Sequence, residues 1–287
     1  MKIALDAMGG DFAPEAAVHG AVWAARDYGL TIQLVGKPEA INAELAKHNT
    51  AGLDLPVIPA SEVIEMDEPP AVAVKTKRDS SMAVALRLVK HKESEAFVTA
   101  GNSGGALASA LFGLGRVKGI KRPALGTIFP NTSDYGLSFL LDVGANTDVR
   151  PEFLLQFAIM GSRYAENVLK IPTPRVGLLS TGEEEEKGNQ LIQEVTPMLK
   201  REIKARPLAM LGALLARGAI KALRSKLDYR EFGGGSLLGV NGVVIIAHGR
   251  SDPYAVRHAI RVAKQAAENN IVEAIGRDLP ELEPTIG

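Results

Sequence analysis

Short runs of apolar and β-branched residues alternate along the chain with longer stretches of helical spacing, and this alternation constrains the fold more than any other feature. Ile3-Ala4-Leu5, Thr31-Ile32-Gln33-Leu34-Val35 and Ala96-Phe97-Val98-Thr99 read as buried strands bounded by Gly or Asp. Ser138-Phe139-Leu140-Leu141, Val176-Gly177-Leu178-Leu179 and Gly242-Val243-Val244-Ile245-Ile246 read the same way. Between them, residues 14–28, 82–91 and 152–169 carry helical spacing, with Pro14 and Pro151 placed where proline suits a first turn. The pattern predicts an α/β fold, a mostly parallel sheet with helices on both faces. In such sheets ligands bind beyond the carboxyl ends of the strands, so the residues just after each strand carry the chemistry.

Composition narrows the class. A chain of 287 residues has room for a sizeable core, and with no repeat and no low-complexity linker it reads as a single α/β unit over 1–287. Its 46% hydrophobic and 23% charged residues are those of a folded soluble protein. With 33 basic and 33 acidic side chains the net charge is zero, which argues against a surface built to hold nucleic acid. The absence of cysteine excludes disulfides, thiolate metal sites and a cysteine nucleophile, and it fits a reducing cytoplasm. No apolar run approaches the roughly 20 residues that cross a bilayer, and the run at Ile3-Ala4-Leu5 is too short for a signal peptide. The expectation is a soluble protein whose membrane contact, if any, is peripheral.

Residues 201–230 break the pattern. They contain no strand, and eight lysines and arginines face only Glu202 and Asp228. Leucines and isoleucines recur at helical spacing on either side of Gly218, which predicts a helical hairpin outside the sheet. Leu211, Leu214 and Leu215 fall on one face, with Arg217 near the tip, as a membrane contact requires. Dimer packing is the competing use for the second stripe, Ile220, Leu223 and Leu227.

The turns after the strands supply the candidate site. Asp6-Ala7-Met8-Gly9-Gly10-Asp11 joins the first strand to the first helix, and its paired glycines permit a sharp turn and close approach to a ligand. A polar turn at a helix start is the competing reading, and the third glycine of the dinucleotide fingerprint is missing. Thr99-Ala100-Gly101-Asn102-Ser103-Gly104-Gly105 opens an apolar helix over 106–114 and exposes N–H groups and a positive helix end to an anion. It lacks the Lys-Ser/Thr ending of a nucleotide P-loop, and tight strand-to-helix packing would also explain it.

Three further segments hold polar candidates. Asp142 and Asn146 follow an apolar strand, where ligand contact and structural capping fit about equally. Lys187 is the cation of a carboxylate-rich stretch, beside Gly188 and Asn189, and is suited to neutralise an anion. His248 follows the last strand. No histidines have the spacing of a helical metal pair and no His-Asp-Ser arrangement is visible, so it is either a structural residue or part of a site.

Taken in order, IALDAMGGDFAP (3–14), AGNSGG (100–105), LDVGAN (141–146), GEEEEKGN (182–189) and LLGVNGVVIIAHG (237–249) resemble the bacterial phosphate acyltransferases of phospholipid synthesis, over nearly the whole chain. The resemblance implies a fold similar to phosphate acetyltransferases and isocitrate/isopropylmalate-type dehydrogenases, and a homodimer. It implies transfer of a long fatty acyl group from acyl carrier protein to inorganic phosphate. The acyl phosphate would then serve a membrane enzyme that acylates glycerol 3-phosphate. It implies no metal or organic cofactor, and a cytoplasmic location at the inner face of an anionic membrane.

For that reaction the expected roles are that Lys187 offsets phosphate charge while Asn102, Ser103 and Gly104 supply donors. Asp6, Gly9, Gly10, Gly101, Asp142, Asn146 and Asn189 would line the substrate, and His248 or Asn241 would contact the acyl phosphate or protonate the leaving thiolate. Rival readings are a coenzyme A-dependent phosphate acetyl- or butyryltransferase, a dehydrogenase of the same architecture, and a non-catalytic membrane scaffold for lipid-synthesis enzymes. The pattern departs at one place. The family continues after the helix ending near Lys200 into a strand, an Asp-Gly-Phe-Val-Gly-Asn turn and a helix, whereas here Arg201 follows Lys200 directly. Loss of a core strand is costly, which favours a segment left out of the sequence over a true deletion.

Overall fold

The computed structural model describes residues 1–131, 135–179, 194–195, 198 and 233–277. The expectations for Lys187, Asn189, Leu211, Leu214, Leu215, Arg217 and the hairpin lie outside the described residues.

Strands β1 (Lys2–Asp6), β2 (Thr31–Gly36), β3 (Val57–Pro59), β4 (Ala96–Thr99), β5 (Ala124–Pro130), β6 (Leu137–Leu141), β7 (Gly235–Leu238) and β8 (Val243–Ile246) form one eight-stranded sheet in the order β3-β2-β1-β4-β8-β7-β5-β6. From β3 to β8 every pairing is parallel. The β8–β7, β7–β5 and β5–β6 pairings are antiparallel. The described helices are α1 (Glu15–Tyr28), α2 (Pro38–Leu45), α3 (Pro70–Thr76), α4 (Ser81–Lys90), α5 (Ser103–Gly113), α6 (Pro151–Asn167), α7 (Pro253–Glu268) and α8 (Ile271–Arg277).

Alternation along the strands feeds two cores. Ile3, Leu5, Ile32, Leu34, Val98 and Ile245 point to one face, where they join α1, α6, α7 and α8 through Val18, Phe157, Ile260 and Ile275. Ala4, Val35, Phe97 and Val244 point to the other, against Leu86 of α4 and Ala106 and Ala110 of α5. Strands covered on both faces have no polar face, which is why β1, β2, β4 and β8 read as continuous apolar runs. Local signals set the helix ends. Gly29, with φ of 62°, ends α1 and donates its N–H to Ala25 O. Asp252 caps α7 by accepting from Ala255 N–H at 2.9 Å, with Pro253 in the first turn. No helix among the described residues is long and apolar enough to cross a membrane.

Two features differ from the sequence reading. Residues 176–179 form no strand: exposed and half-buried positions alternate, Leu179 is 82% exposed, and no ladder partner exists among the described residues. In addition, the run around 138–141 is antiparallel to β5 rather than part of the parallel array.

Candidate active site

The turns after β1, β4 and β8 meet at the carboxyl end of the parallel strands. Ala247 N–H donates to Thr99 O at 2.8 Å, and Asp11 N–H donates to Gly249 O at 2.8 Å. Asp6, Gly9, Gly10, Gly101, Asn102, Ser103, Gly104 and His248 are thereby brought to one end of the sheet.

Asp6 is 1% exposed, and its carboxylate accepts from Thr99 Oγ1 at 2.7 Å and Met8 N–H at 3.1 Å. Burial pushes its pKa up, and interactions with Ser81, Thr99, Met8 and Gly9 oppose that shift. A buried acceptor with these partners organises the turn rather than facing an anion. A Cβ on Gly9 would lie 2.5 Å from Asp6 Oδ2 and 2.8 Å from Gly101 N, so only glycine lets the two loops touch.

Asn102 is likewise fully engaged. Its Oδ1 caps α5 by accepting from Gly105 N–H at 2.9 Å. Its Nδ2 donates to the carbonyls of Glu65, Met66 and Glu68 at 3.2, 3.1 and 3.1 Å. Residues 65–70 are thus tied across the start of α5, and a Cβ on Gly104 would come within 2.6 Å of Pro70 Cγ. Ser103 is exposed at the first position of α5. The first-turn N–H groups of Ser103 and Gly104 lie beyond the reach of the intrahelical ladder and are suited to an anion.

His248 is exposed, and its Nδ1 accepts from Arg250 N–H at 3.1 Å. Two site residues escaped the sequence reading. Thr99 bridges Asp6 and Gly101. Arg250 brings an exposed guanidinium to the turn that holds Gly249, and a cation just past a strand-end histidine was the signal for it. Among the described residues, no group of three or more His, Asp or Glu side chains is placed to hold a metal ion.

Asp142, Asn146 and Asn241 are not part of this cluster. Because β6 runs opposite to β5, its carboxyl end lies beside the start of β5, at the far end of the sheet. There Asp142 accepts from Leu125 N–H at 2.7 Å and Asn146 N–H at 2.8 Å, while Asn146 Nδ2 donates to Pro123 O at 2.9 Å. Asn241 precedes β8, and its amide donates to Arg116 O at 2.7 Å. All three close corners of the fold, at the end of the sheet opposite the cluster.

Known proteins share this frame. The family described as fatty acid synthesis protein matches residues 1–205 and 195–274. A phosphate acyltransferase of Pelotomaculum thermopropionicum is 44% identical over 332 residues, covering 99% of this chain and 96% of that protein. A phosphate acyltransferase of Heliobacterium modesticaldum is 44% identical, covering 99% of both chains. Among solved structures, a phosphotransacetylase from Staphylococcus aureus aligns with a TM-score of 0.63 at 16% identity, covering 94% of each chain. A branched-chain phosphotransacylase from Enterococcus faecalis aligns with a TM-score of 0.62 at 14% identity, covering 93% of this chain and 99% of that one. At such identities the structural likeness establishes the fold alone. The sequence matches establish more: this chain belongs to the fatty acid synthesis protein family, together with the phosphate acyltransferases.

Proposed function

We propose that the protein transfers a long-chain fatty acyl group from acyl carrier protein to inorganic phosphate, releasing an acyl phosphate for phospholipid synthesis. The observation that carries the reading is the meeting of the glycine loops after β1 and β4, in a chain 44% identical over nearly its whole length to phosphate acyltransferases. Phosphate oxygen attacks the thioester carbonyl, the C–O bond forms, and the C–S bond breaks as the tetrahedral oxyanion collapses. Phosphate is itself the nucleophile, so a cysteine or an activated serine has no part to play. Catalysis then rests on positioning a dianion and on donors already aimed at developing charge.

In this reading the Ser103 and Gly104 N–H groups hold phosphate oxygens, with Gly10 giving room for close approach. Lys187 and Arg250 offset the charge, and Asn189 lies beside Lys187 in sequence. His248 protonates the departing thiolate. This chemistry calls for no metal or organic cofactor. Asp6 and Asn102 shape the cradle, and Asp142, Asn146 and Asn241 have structural work at the other end of the sheet.

The remaining parts of the reading concern assembly and place. The protein acts in the cytoplasm as a homodimer, its 201–230 hairpins resting on the anionic inner face of the membrane. From there it hands its product to a membrane glycerol-3-phosphate acyltransferase. The chain is short for its relatives: the 332-position alignment exceeds its 287 residues, so at least 45 positions have no residue here. A segment missing after Lys200 would leave such a shortfall, and an intact mass near 30.4 kDa would show that the protein itself lacks it.

The deciding assay measures acyl phosphate formed from phosphate with palmitoyl-acyl carrier protein or with palmitoyl- and acetyl-coenzyme A. Product from the carrier protein in preference to coenzyme A is expected. Preference for acetyl-coenzyme A would make it a phosphotransacetylase, and no product from any donor would overturn the enzyme reading.

A further inference from the structure

Thr99 is fully buried at the end of β4, and its hydroxyl has a partner on each side. It donates to Asp6 Oδ2 at 2.7 Å and accepts from Gly101 N–H at 2.9 Å. Asp6 in turn accepts from Met8 N–H at 3.1 Å. A continuous hydrogen-bonded path therefore runs from the loop after β1, through one carboxylate and one hydroxyl, into the loop after β4. The backbones touch along it. A Cβ on Gly9 would lie 2.9 Å from Thr99 Oγ1, and one on Gly101 would lie 3.3 Å from Gly9 Cα.

The same path decides which backbone donors face a ligand. Gly101 N–H is engaged by Thr99, Gly105 N–H by Asn102 Oδ1, and Ala106 N–H by Asn102 O at 2.8 Å. In the first turn of α5 this leaves Ser103 and Gly104, whose orientation follows from where Gly101 is pinned. A shift of the Thr99–Gly101 contact would move them relative to the 9–11 loop.

We propose that Thr99 is a positioning residue: its hydroxyl holds the glycine loop after β1 and the first turn of α5 in one register, so that both address the same phosphate dianion. The inference rests on the acyl-phosphate reading for the identity of the ligand. Thr99 does not itself touch phosphate; it acts through Asp6 and Gly101.

Valine matches threonine in shape and lacks the hydroxyl, whereas serine keeps it, so the pair separates hydrogen bonding from packing. Losing one buried hydrogen bond at a phosphate cradle is worth about a factor of ten, so Thr99→Val should raise the KM for phosphate about tenfold with the KM for the acyl donor within about threefold. Thr99→Ser should stay within about threefold of the parent for both substrates, because its hydroxyl rescues the contact. If Thr99→Val fails to fold because the buried Asp6 carboxylate has lost one of its donors, the double variant Asp6→Asn/Thr99→Val lowers that charge cost and carries the same expectation. Equal rises in both KM values, or an unchanged KM for phosphate, overturn the proposal.

Calorimetric titration with inorganic phosphate gives a readout independent of turnover. Weaker phosphate binding by Thr99→Val, with Thr99→Ser like the parent, supports the proposal. A parent that binds phosphate but forms no acyl phosphate overturns the acyl-transfer reading and leaves the Thr99 comparison to be decided by affinity. A parent that binds no phosphate overturns the Thr99 proposal as well.

Discussion

The carbonyl of Gly249 accepts the Asp11 N–H at 2.8 Å, and this bond fixes the turn after β8 against the loop after β1. Gly10 sits in the angle of that contact with φ of 104°, and a Cβ there would lie 3.0 Å from the same carbonyl. Gly10→Ala therefore meets backbone strain and crowding together. A stability loss of about 1–2 kcal/mol is expected from the positive φ, read as a lower urea midpoint. The KM for phosphate should rise as well, because the displaced turn carries His248 and Arg250. An unchanged midpoint would show that the loop relaxes freely.

Asn102 has two separable duties, and two substitutions divide them. Asn102→Ala removes both the α5 cap and the three bonds to residues 65–68, and the cap alone is worth about 1 kcal/mol. Asn102→Asp keeps a capping oxygen but cannot donate, so it loses the tether. Limited proteolysis should cut residues 65–69 faster in both variants, while the urea midpoint falls further in the alanine variant. Equal cleavage of Asn102→Asp and the parent would show that the Lys77 contacts to Val63 O and Glu68, at 2.6 and 2.5 Å, suffice to hold the segment.

How legible these features were in sequence depended on distance and direction. Strands β1, β2, β4 and β8 announced themselves because both faces are buried, and the glycine loops because they follow those strands. Strand β7 reads only Gly-Ser-Leu-Leu, too short and mixed to stand out. Nothing local in residues 65–70 signals their anchor at Asn102, which lies 34 to 37 positions away. Asp142 was misplaced because strand direction is not written in an apolar run. The connection offered a clue: β5 ends at Pro130 and β6 starts at Leu137, too short a link for a parallel crossover. Gly104 packs on Pro70, so a larger side chain there would disturb the segment over α5 as well as any anion contact.

Tyr164 gives the fold an alkaline limit. Burial pushes its phenol up to about 12, while the hydrogen bond from Ser236 Oγ, at 2.9 Å, pulls the other way. An acid whose folded pKa exceeds its unfolded value of 10 keeps its proton longer when folded, so stability falls as pH rises from 10 through about 12. The full effect is roughly 3 kcal/mol at about 1.4 kcal/mol per unit. Tyr164→Phe keeps the stack on Phe139, 4.3 Å between centroids, and removes the titration. Urea midpoints at successive alkaline pH values should fall less steeply for the variant; parallel slopes would place the titration elsewhere.

Lys187 tests the charge balance. It is the only cation between Gly182 and Gly188, and a dianionic nucleophile needs compensation before it approaches the thioester. Lys187→Ala should fold as the parent does and lose phosphate-dependent turnover by about 10²-fold, the scale on which a charge stabiliser acts. Activity within about threefold of the parent would remove Lys187 from the mechanism and leave Arg250 as the phosphate cation.

The hairpin expected over 201–230 is tested by asking what its leucines meet. At helical spacing Leu211, Leu214 and Leu215 would share one face, with Arg217, Lys221 and Arg224 near the expected tip. Immersing three or four leucines partway gives roughly 4–8 kcal/mol before ordering costs. Each basic residue at an anionic surface adds about 1 kcal/mol. One hairpin would then bind reversibly, and the pair on a dimer would gain through avidity. Dimer packing buries such stripes too, so the two uses must be read in one experiment. Leu211→Glu and Leu214→Glu are compared with the parent by flotation on anionic vesicles, with mass by light scattering and acyl phosphate formation in solution. Membrane contact predicts lost flotation, with the dimer and the soluble activity retained. Variants that turn monomeric place these leucines in the subunit interface, and variants that still float place the membrane contact elsewhere on the protein.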